Sequence, residues 1–155
     1  MTDNENIIHT FYKAFQLKDF KTMQSCYADH ATFSDSVFVD LGAQQVKSMW
    51  AFLCLRGKDL QVAYSHVLAG EREGSAEWVA TYTFSATNKK VINRIKASFI
   101  FENGKIIAHR DVFHFYRWAR QAFGIKGWLL GWTSFFKNKV RKQALKNLEF
   151  YQSNL

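Results

Sequence analysis

The stretch that most restricts how this chain can fold is residues 97–115, ASFIFENGKIIAHRDVFHF. Ala97, Phe99 and Phe101 alternate with Ser98, Ile100 and Glu102, the period of two that marks a strand. Asn103-Gly104 follows. A type I′ hairpin turn needs positive φ at both central residues, which this pair tolerates. The chain then returns from Lys105. One parity of the return strand carries Ile107, His109, Asp111, Phe113 and Phe115; the other carries Ile106, Ala108, Arg110, Val112 and His114. An apolar face interrupted by an imidazole and a carboxyl is unusual, because both are costly to bury unless paired or wet. A wet pocket lined by that face would accommodate them.

The rest of the chain divides by period. Asp3 or Asn4 caps a first helix whose stripe is Ile8, Phe11, Tyr12 and Phe15. Asp19 caps a short second helix with Met23, Cys26 and Tyr27 facing inward. A strand-like piece over residues 28–35 ends on Asp35. Gly42 opens a third helix with Val46, Met49, Trp50 and Leu53 on one face. From Asp59 the period becomes two, with strands over 60–70, 75–86, 91–102 and 105–115. Trp78, Ala80, Tyr82 and Phe84 share one face, and Asn93, Ile95 and Ala97 oppose Arg94, Lys96 and Ser98. Helices followed by hairpin-linked strands imply an α+β fold, a curved antiparallel sheet packed on N-terminal helices. This unit spans residues 1–116, and a helical extension, residues 117–155, follows it.

Charge separates the same two parts. Residues 1–116 hold 13 Lys/Arg against 12 Asp/Glu, whereas residues 117–155 hold eight against Glu149 alone, so the extension carries +7 of the net +8. It also holds Trp118, Trp128, Trp132, Phe135 and Phe136. Two readings compete for it. In the favoured one, the aromatics pack on the first unit as a lid or dimer brace. In the other, they lie on an anionic membrane. Recognised nucleic-acid-binding motifs are absent, so no nucleic-acid partner is expected. No apolar run approaches the roughly 18–20 residues of a membrane span, and no apolar leader follows the polar, acidic start. Cys26 and Cys54 sit at apolar helical positions and read as reduced core thiols of a cytoplasmic protein. Without a CxxC or HExxH pattern, no metal site is expected.

Two segments carry a resemblance. FYKAFQLKDFKTMQSCYADHATFSD, with Asp19-Phe20 and then residues 27–35, resembles the opening of the nuclear transport factor 2-like superfamily, in its SnoaL-like and ketosteroid isomerase-like branches. FENGKIIAHRDVF resembles the closing hairpin of that superfamily. The likeness covers about residues 5–116 and implies a cone, a curved sheet closed by helices around a pocket. In the ketosteroid isomerases the base is the Asp that ends the first phrase, here Asp35. Their two oxyanion donors fall on Phe11 and Ala97, which donate nothing, so the resemblance does not extend to standard steroid isomerase chemistry. In SnoaL-like cyclases the acid–base residue is an Asp on the last strand, here Asp111.

The candidate catalytic residues are therefore Asp35, Asp111 and His109, working on an apolar small molecule without a cofactor. A carboxylate in an apolar pocket has a raised pKa and is a better proton acceptor. Tyr82, Asn93, Trp50, Trp78 and Phe113 are the candidate ligand-binding residues; His30 and His66 carry weaker signals. The reaction classes are isomerisation, cyclisation, dehydration and hydrolysis. The opposing reading is a non-catalytic ligand-binding or protein-interaction module. Carboxylates converging on an open cavity would separate the first reading from the second. A homodimer formed through the outer sheet face is expected from the resemblance.

Overall fold

Thr2 starts the chain's first helix, one residue before the expected cap. Its hydroxyl accepts from the Glu5 N–H, and the Glu5 carboxylate accepts in turn from the Thr2 N–H, a capping box. The computed structural model describes residues 1–155. In it α1 (Asp3–Gln16) and α2 (Phe20–Ser25, capped by Asp19) lead into β1 (Tyr27–Ser34), followed by α3 (Ala43–Arg56). Four strands follow: β2 (Gln61–Ala69), β3 (Glu73–Phe84), β4 (Lys89–Glu102) and β5 (Lys105–Val112). Three helices end the chain, α4 (Phe115–Phe123), α5 (Ile125–Leu130) and α6 (Ser134–Ser153).

The sheet is one curved layer in the order β1-β5-β4-β3-β2. The four hairpin-linked strands are antiparallel, as their short turns require. Asn103 and Gly104 take φ of 51° and 74°, the conformation read from the sequence. β1 differs: it adds to the edge parallel to β5, with Phe33 beside His109. Parallel pairing needs a long connection, and α3 with β2–β4 supplies it.

Alternation decides what faces the helices. On β4 the inward set is Val91, Asn93, Ile95, Ala97, Phe99 and Phe101. On β5 the expected parity breaks. Phe101 pairs with Ile106, but Ile100 pairs with Ala108, so Ile107 is an extra residue. This bulge turns Ile106 inward along with His109 and Asp111, where strict alternation would have used Ile107. α1, α2 and α3 cover the concave face, and Phe11, Tyr12, Phe15, Trp50 and Phe99 are almost wholly buried there. On α3, Leu53 lies at the margin, 36% exposed, and Cys54 is buried instead.

The C-terminal helices close the wide end. Phe115, Trp118, Ala119, Ala122 and Phe136 form a second cluster around Val91 of β4. α6 runs back along α3. The Arg141 guanidinium donates to the Ser36 carbonyl at 3.1 Å, Phe52 and Tyr151 meet edge to face at 5.3 Å, and Leu148 enters the main core.

A candidate acid–base site on the concave face

His109 sits at the bottom of the concave face, and both ring nitrogens are engaged. Tyr27, at the start of β1, lies with its hydroxyl 2.7 Å from Nδ1, and Asp111 Oδ1 lies 2.9 Å from Nε2. Two tryptophans extend the chain: Trp50 Nε1 donates to the Tyr27 hydroxyl at 2.9 Å, and Trp78 Nε1 donates to Asp111 Oδ1 at 3.4 Å. The hydrogen count selects one tautomer. The Tyr27 oxygen accepts from Trp50, so its own hydrogen goes to Nδ1, and His109 gives its Nε2 hydrogen to Asp111. Every donor in the row is then used. Burial pushes the Tyr27 phenol well above its ordinary value, with the Asp111 charge adding to the rise, so the phenol stays protonated.

The row is tightly enclosed. Phe99, Phe33, Phe11, Trp50 and Tyr27 surround the His109 ring at centroid distances of 4.4, 5.0, 5.7, 6.0 and 6.1 Å. Both hydrogen bonds to Asp111 land on Oδ1, which leaves Oδ2 without a partner. Nearby on α1, the Tyr12 hydroxyl is the one fully buried side-chain polar atom that makes no hydrogen bond. Burial first, then the charge of Asp111, raises its pKa well above normal.

Asp35 follows β1 and stands closer to solvent. Its Oδ1 accepts from the backbone N–H of Val37 at 2.7 Å and of Phe38 at 2.6 Å, an Asx-type turn that fixes the carboxyl; Oδ2 is unpartnered. Burial pushes this carboxyl up to about 6, against the two N–H donors that pull it down; the Asp111 charge adds to the rise. Tyr82 lies beside it. Burial raises the Tyr82 phenol, its oxygen accepts from Trp118 Nε1 at 2.8 Å, and Asp35 adds to the rise. Asn93 faces inward on β4, 9% exposed, with the small Ala80 as its cross-strand neighbour. Phe113 is half-buried between the two clusters.

The sequence-derived candidates thus fall into two tiers. His109, Asp111, Trp50 and Trp78 form the deep row, and Asp35, Tyr82, Asn93 and Phe113 lie nearer the rim. Five rings pack closely around His109. Two grooves of about 450 and 470 Å³ lie on the outer surface, one beside Asp29, Lys47 and Lys105 and the other beside Glu5, Glu73 and Ser98. Neither reaches Asp35, His109 or Asp111. His30 and His66 are exposed and apart from the row. Tyr27, Tyr12 and Trp118 read from the sequence as packing residues, not as members of the site. Their signal was general: buried Tyr and Trp tips need partners, but the sequence does not say which.

Residues 8–109 match the SnoaL-like domain. The chain belongs to the SnoaL-like family. Among solved structures, the SnoaL-like chain is similar to an NTF2-like protein of unknown function from Burkholderia pseudomallei, at 14% identity over 80% of this chain and 100% of that one, with a TM-score of 0.69. It is also similar to an LEH-like epoxide hydrolase of M. tuberculosis, at 18% identity over 86% and 95% with a TM-score of 0.60. A candidate polyketide cyclase of Pseudomonas putida shares 15% identity over 79% and 98%, with a TM-score of 0.66. At these identities the likeness is one of fold. No curated protein matches the sequence.

Proposed function

We propose that this SnoaL-like chain moves protons on an apolar small molecule without a cofactor, with Asp111 as the principal base and Asp35 as its partner. One observation carries the reading. Two carboxylates share the concave face, each held through Oδ1 with Oδ2 unpartnered, and they differ in environment. Asp35 sits at about 6, so near neutrality it exchanges a proton readily. Asp111 is oriented by Trp78 and His109, and its bond from the His109 N–H is backed by the Tyr27 hydroxyl. Two carboxyls in unequal surroundings are the pattern by which one fold supplies both an acid and a base. The chemistry named for neighbours of this fold, epoxide hydrolysis and polyketide cyclisation, falls in the same acid–base class.

A second reading has support of its own. Five rings crowd His109 while Tyr82 and Phe113 stand nearer the rim, so the fold also suits a module that holds an apolar ligand at the rim without turning it over. Deuterium exchange at the α-carbon of a cyclic enone, together with hydrolysis of an aryl epoxide, tests the choice. Turnover by the intact protein that Asp111→Asn removes supports catalysis. Saturable binding of either probe, with neither exchange nor hydrolysis, supports the binding module.

A further inference from the structure

Helices α4 and α5 are held together backbone to backbone. A Cβ on Gly127 would lie 2.0 Å from the Ala119 carbonyl oxygen, and one on Gly131 would lie 2.9 Å from the Ala119 Cβ. The two glycines are four residues apart, on the side of α5 that rests against α4. The large side chains between and around them are thereby turned away from the protein. Ile125 is 78% exposed, Trp128 58%, Leu129 66%, Trp132 72% and Phe135 74%. Ile125, Trp128 and Leu129 lie on α5, Trp132 in the turn after it and Phe135 in the first turn of α6, so one short stretch of chain presents five exposed apolar side chains. The backbone that presents them is tied down: the Tyr116 hydroxyl donates to the Trp128 carbonyl at 2.8 Å, and Trp132 Nε1 donates to the Leu129 carbonyl at 3.1 Å.

The surroundings of this stretch are cationic. No Asp or Glu occurs between Val112 and Leu148. The Arg120 guanidinium lies 4.4 Å from the Trp128 ring centre, and Lys139 Nζ lies 5.9 Å from that of Phe135. Lys126 and Lys137 flank the same segment. None of the eight Lys/Arg of residues 117–155 is in a salt bridge; Lys47 pairs with Asp29, and the two other close contacts to carboxylates come from the histidines His66 and His109. Only part of the extension is therefore buried. Trp118 and Phe136 enter the core, and Trp128, Trp132 and Phe135 do not.

We infer that this stretch is a docking surface for an anionic phospholipid bilayer. Exposed apolar area rimmed by unpaired cations has the chemistry of an interfacial contact, with tryptophans at headgroup depth and Lys/Arg on lipid phosphates. Charge complementarity sets the occupant. A second copy would bring another +7 extension against the first. Nucleic acid would satisfy the cations but leaves the aliphatic Ile125 and Leu129 without bases to stack on. No helix is long and apolar enough to cross a membrane, so the contact is peripheral.

Flotation of the intact protein with phosphatidylcholine vesicles, with and without about 30% phosphatidylglycerol, tests the inference. The expected result is binding to the anionic vesicles at least tenfold tighter than to the neutral ones, with a blue shift of tryptophan emission. Raising salt from roughly 0.05 to about 0.5 M should release most of the protein. The double variant Ile125→Glu, Leu129→Glu alters only exposed side chains that make no hydrogen bond; it should keep its thermal melt and lose binding at least tenfold. Lys126→Gln with Lys137→Gln and Lys139→Gln should lose the preference for anionic lipid. Equal binding to both vesicles, binding untouched by the double variant, or no binding at all would overturn the inference. So would self-association abolished by the double variant in a protein that ignores vesicles, which would assign the stretch to a second copy.

Discussion

Replacing Asp35 by asparagine should make the protein more stable above neutrality and leave it unchanged in acid. Asp35 has its pKa raised from the ordinary 3.8 to about 6 in the folded chain. The folded state therefore favours the protonated form. Below about pH 4 the carboxyl is protonated whether the chain is folded or not, and it imposes no penalty. Between about pH 4 and pH 6 the unfolded chain loses this proton while the folded chain keeps it, so stability falls across that interval, and above 6 the folded state carries the full penalty of a charge that burial disfavours. At 1.36 kcal/mol per unit, the difference of about two units is worth about 3 kcal/mol. Residual solvent contact at this half-buried group trims it to about 2. The asparagine amide keeps an Oδ1 to accept from the Val37 and Phe38 N–H groups, so the turn persists while the charge is removed. Urea titrations of both proteins between about pH 3 and pH 8 should show near-coincident midpoints at the acid end and a gap that opens in favour of the Asp35→Asn variant between about pH 4 and pH 6 and stays level above that. A gap that does not vary with pH, or a wild type that is the more stable protein at pH 8, would refute the burial argument and remove Asp35 from the proposed chemistry.

Other perturbations reach the deep row. Tyr12→Phe deletes a buried hydroxyl with no partner and should raise stability by about 1 kcal/mol in urea unfolding, with a fall instead revealing a partner. Tyr27→Phe strands both Trp50 Nε1 and His109 Nδ1 in the core and should cost about 2–4 kcal/mol; a loss under about 1 kcal/mol by the same measurement would mean the row adjusts freely. Asp111→Asn should lower turnover by about 10²–10⁴-fold on any substrate found, with an unchanged circular dichroism spectrum, and near-normal turnover would strike it from the role of base.

How far the site could be read in advance depended on the range of the interaction. The Asn103-Gly104 turn and the β4 alternation are local, and they were legible to the residue. The placement of His109 and Asp111 on the helix-facing side was also legible, though through a parity argument that the Ile107 bulge complicates. The pairing of β1 with β5 was not legible as parallel, because it joins segments some 80 residues apart and leaves no local period. The partners of His109 were hidden for the same reason: Tyr27 reads as the end of an inward helical face, and nothing nearby in sequence points to an imidazole. The crowding of rings around His109 was likewise beyond a pattern of apolar positions, which marks what turns inward but not which side chains meet. Gly127 and Gly131 read as helix breakers; in the folded chain they are the close contacts of two helices.

The extra residue at Ile107 gives β5 a property that substitutions would not expose. Upstream and downstream of it the strand runs in opposite phase, so the imidazole and carboxyl are set inward by their places opposite β4 and not by their count from the turn. Deleting one residue between Ile106 and Ala108 would restore a regular ladder and keep every side chain of the deep row in the protein. It would also leave His109 opposite Phe99 and Asp111 opposite Ala97, both facing inward, because the bulged residue has no partner on β4. Among relatives of this fold, a one-residue gap at this point of the hairpin should therefore leave the imidazole and carboxyl on the concave face, even though the residue count from the turn to each of them changes.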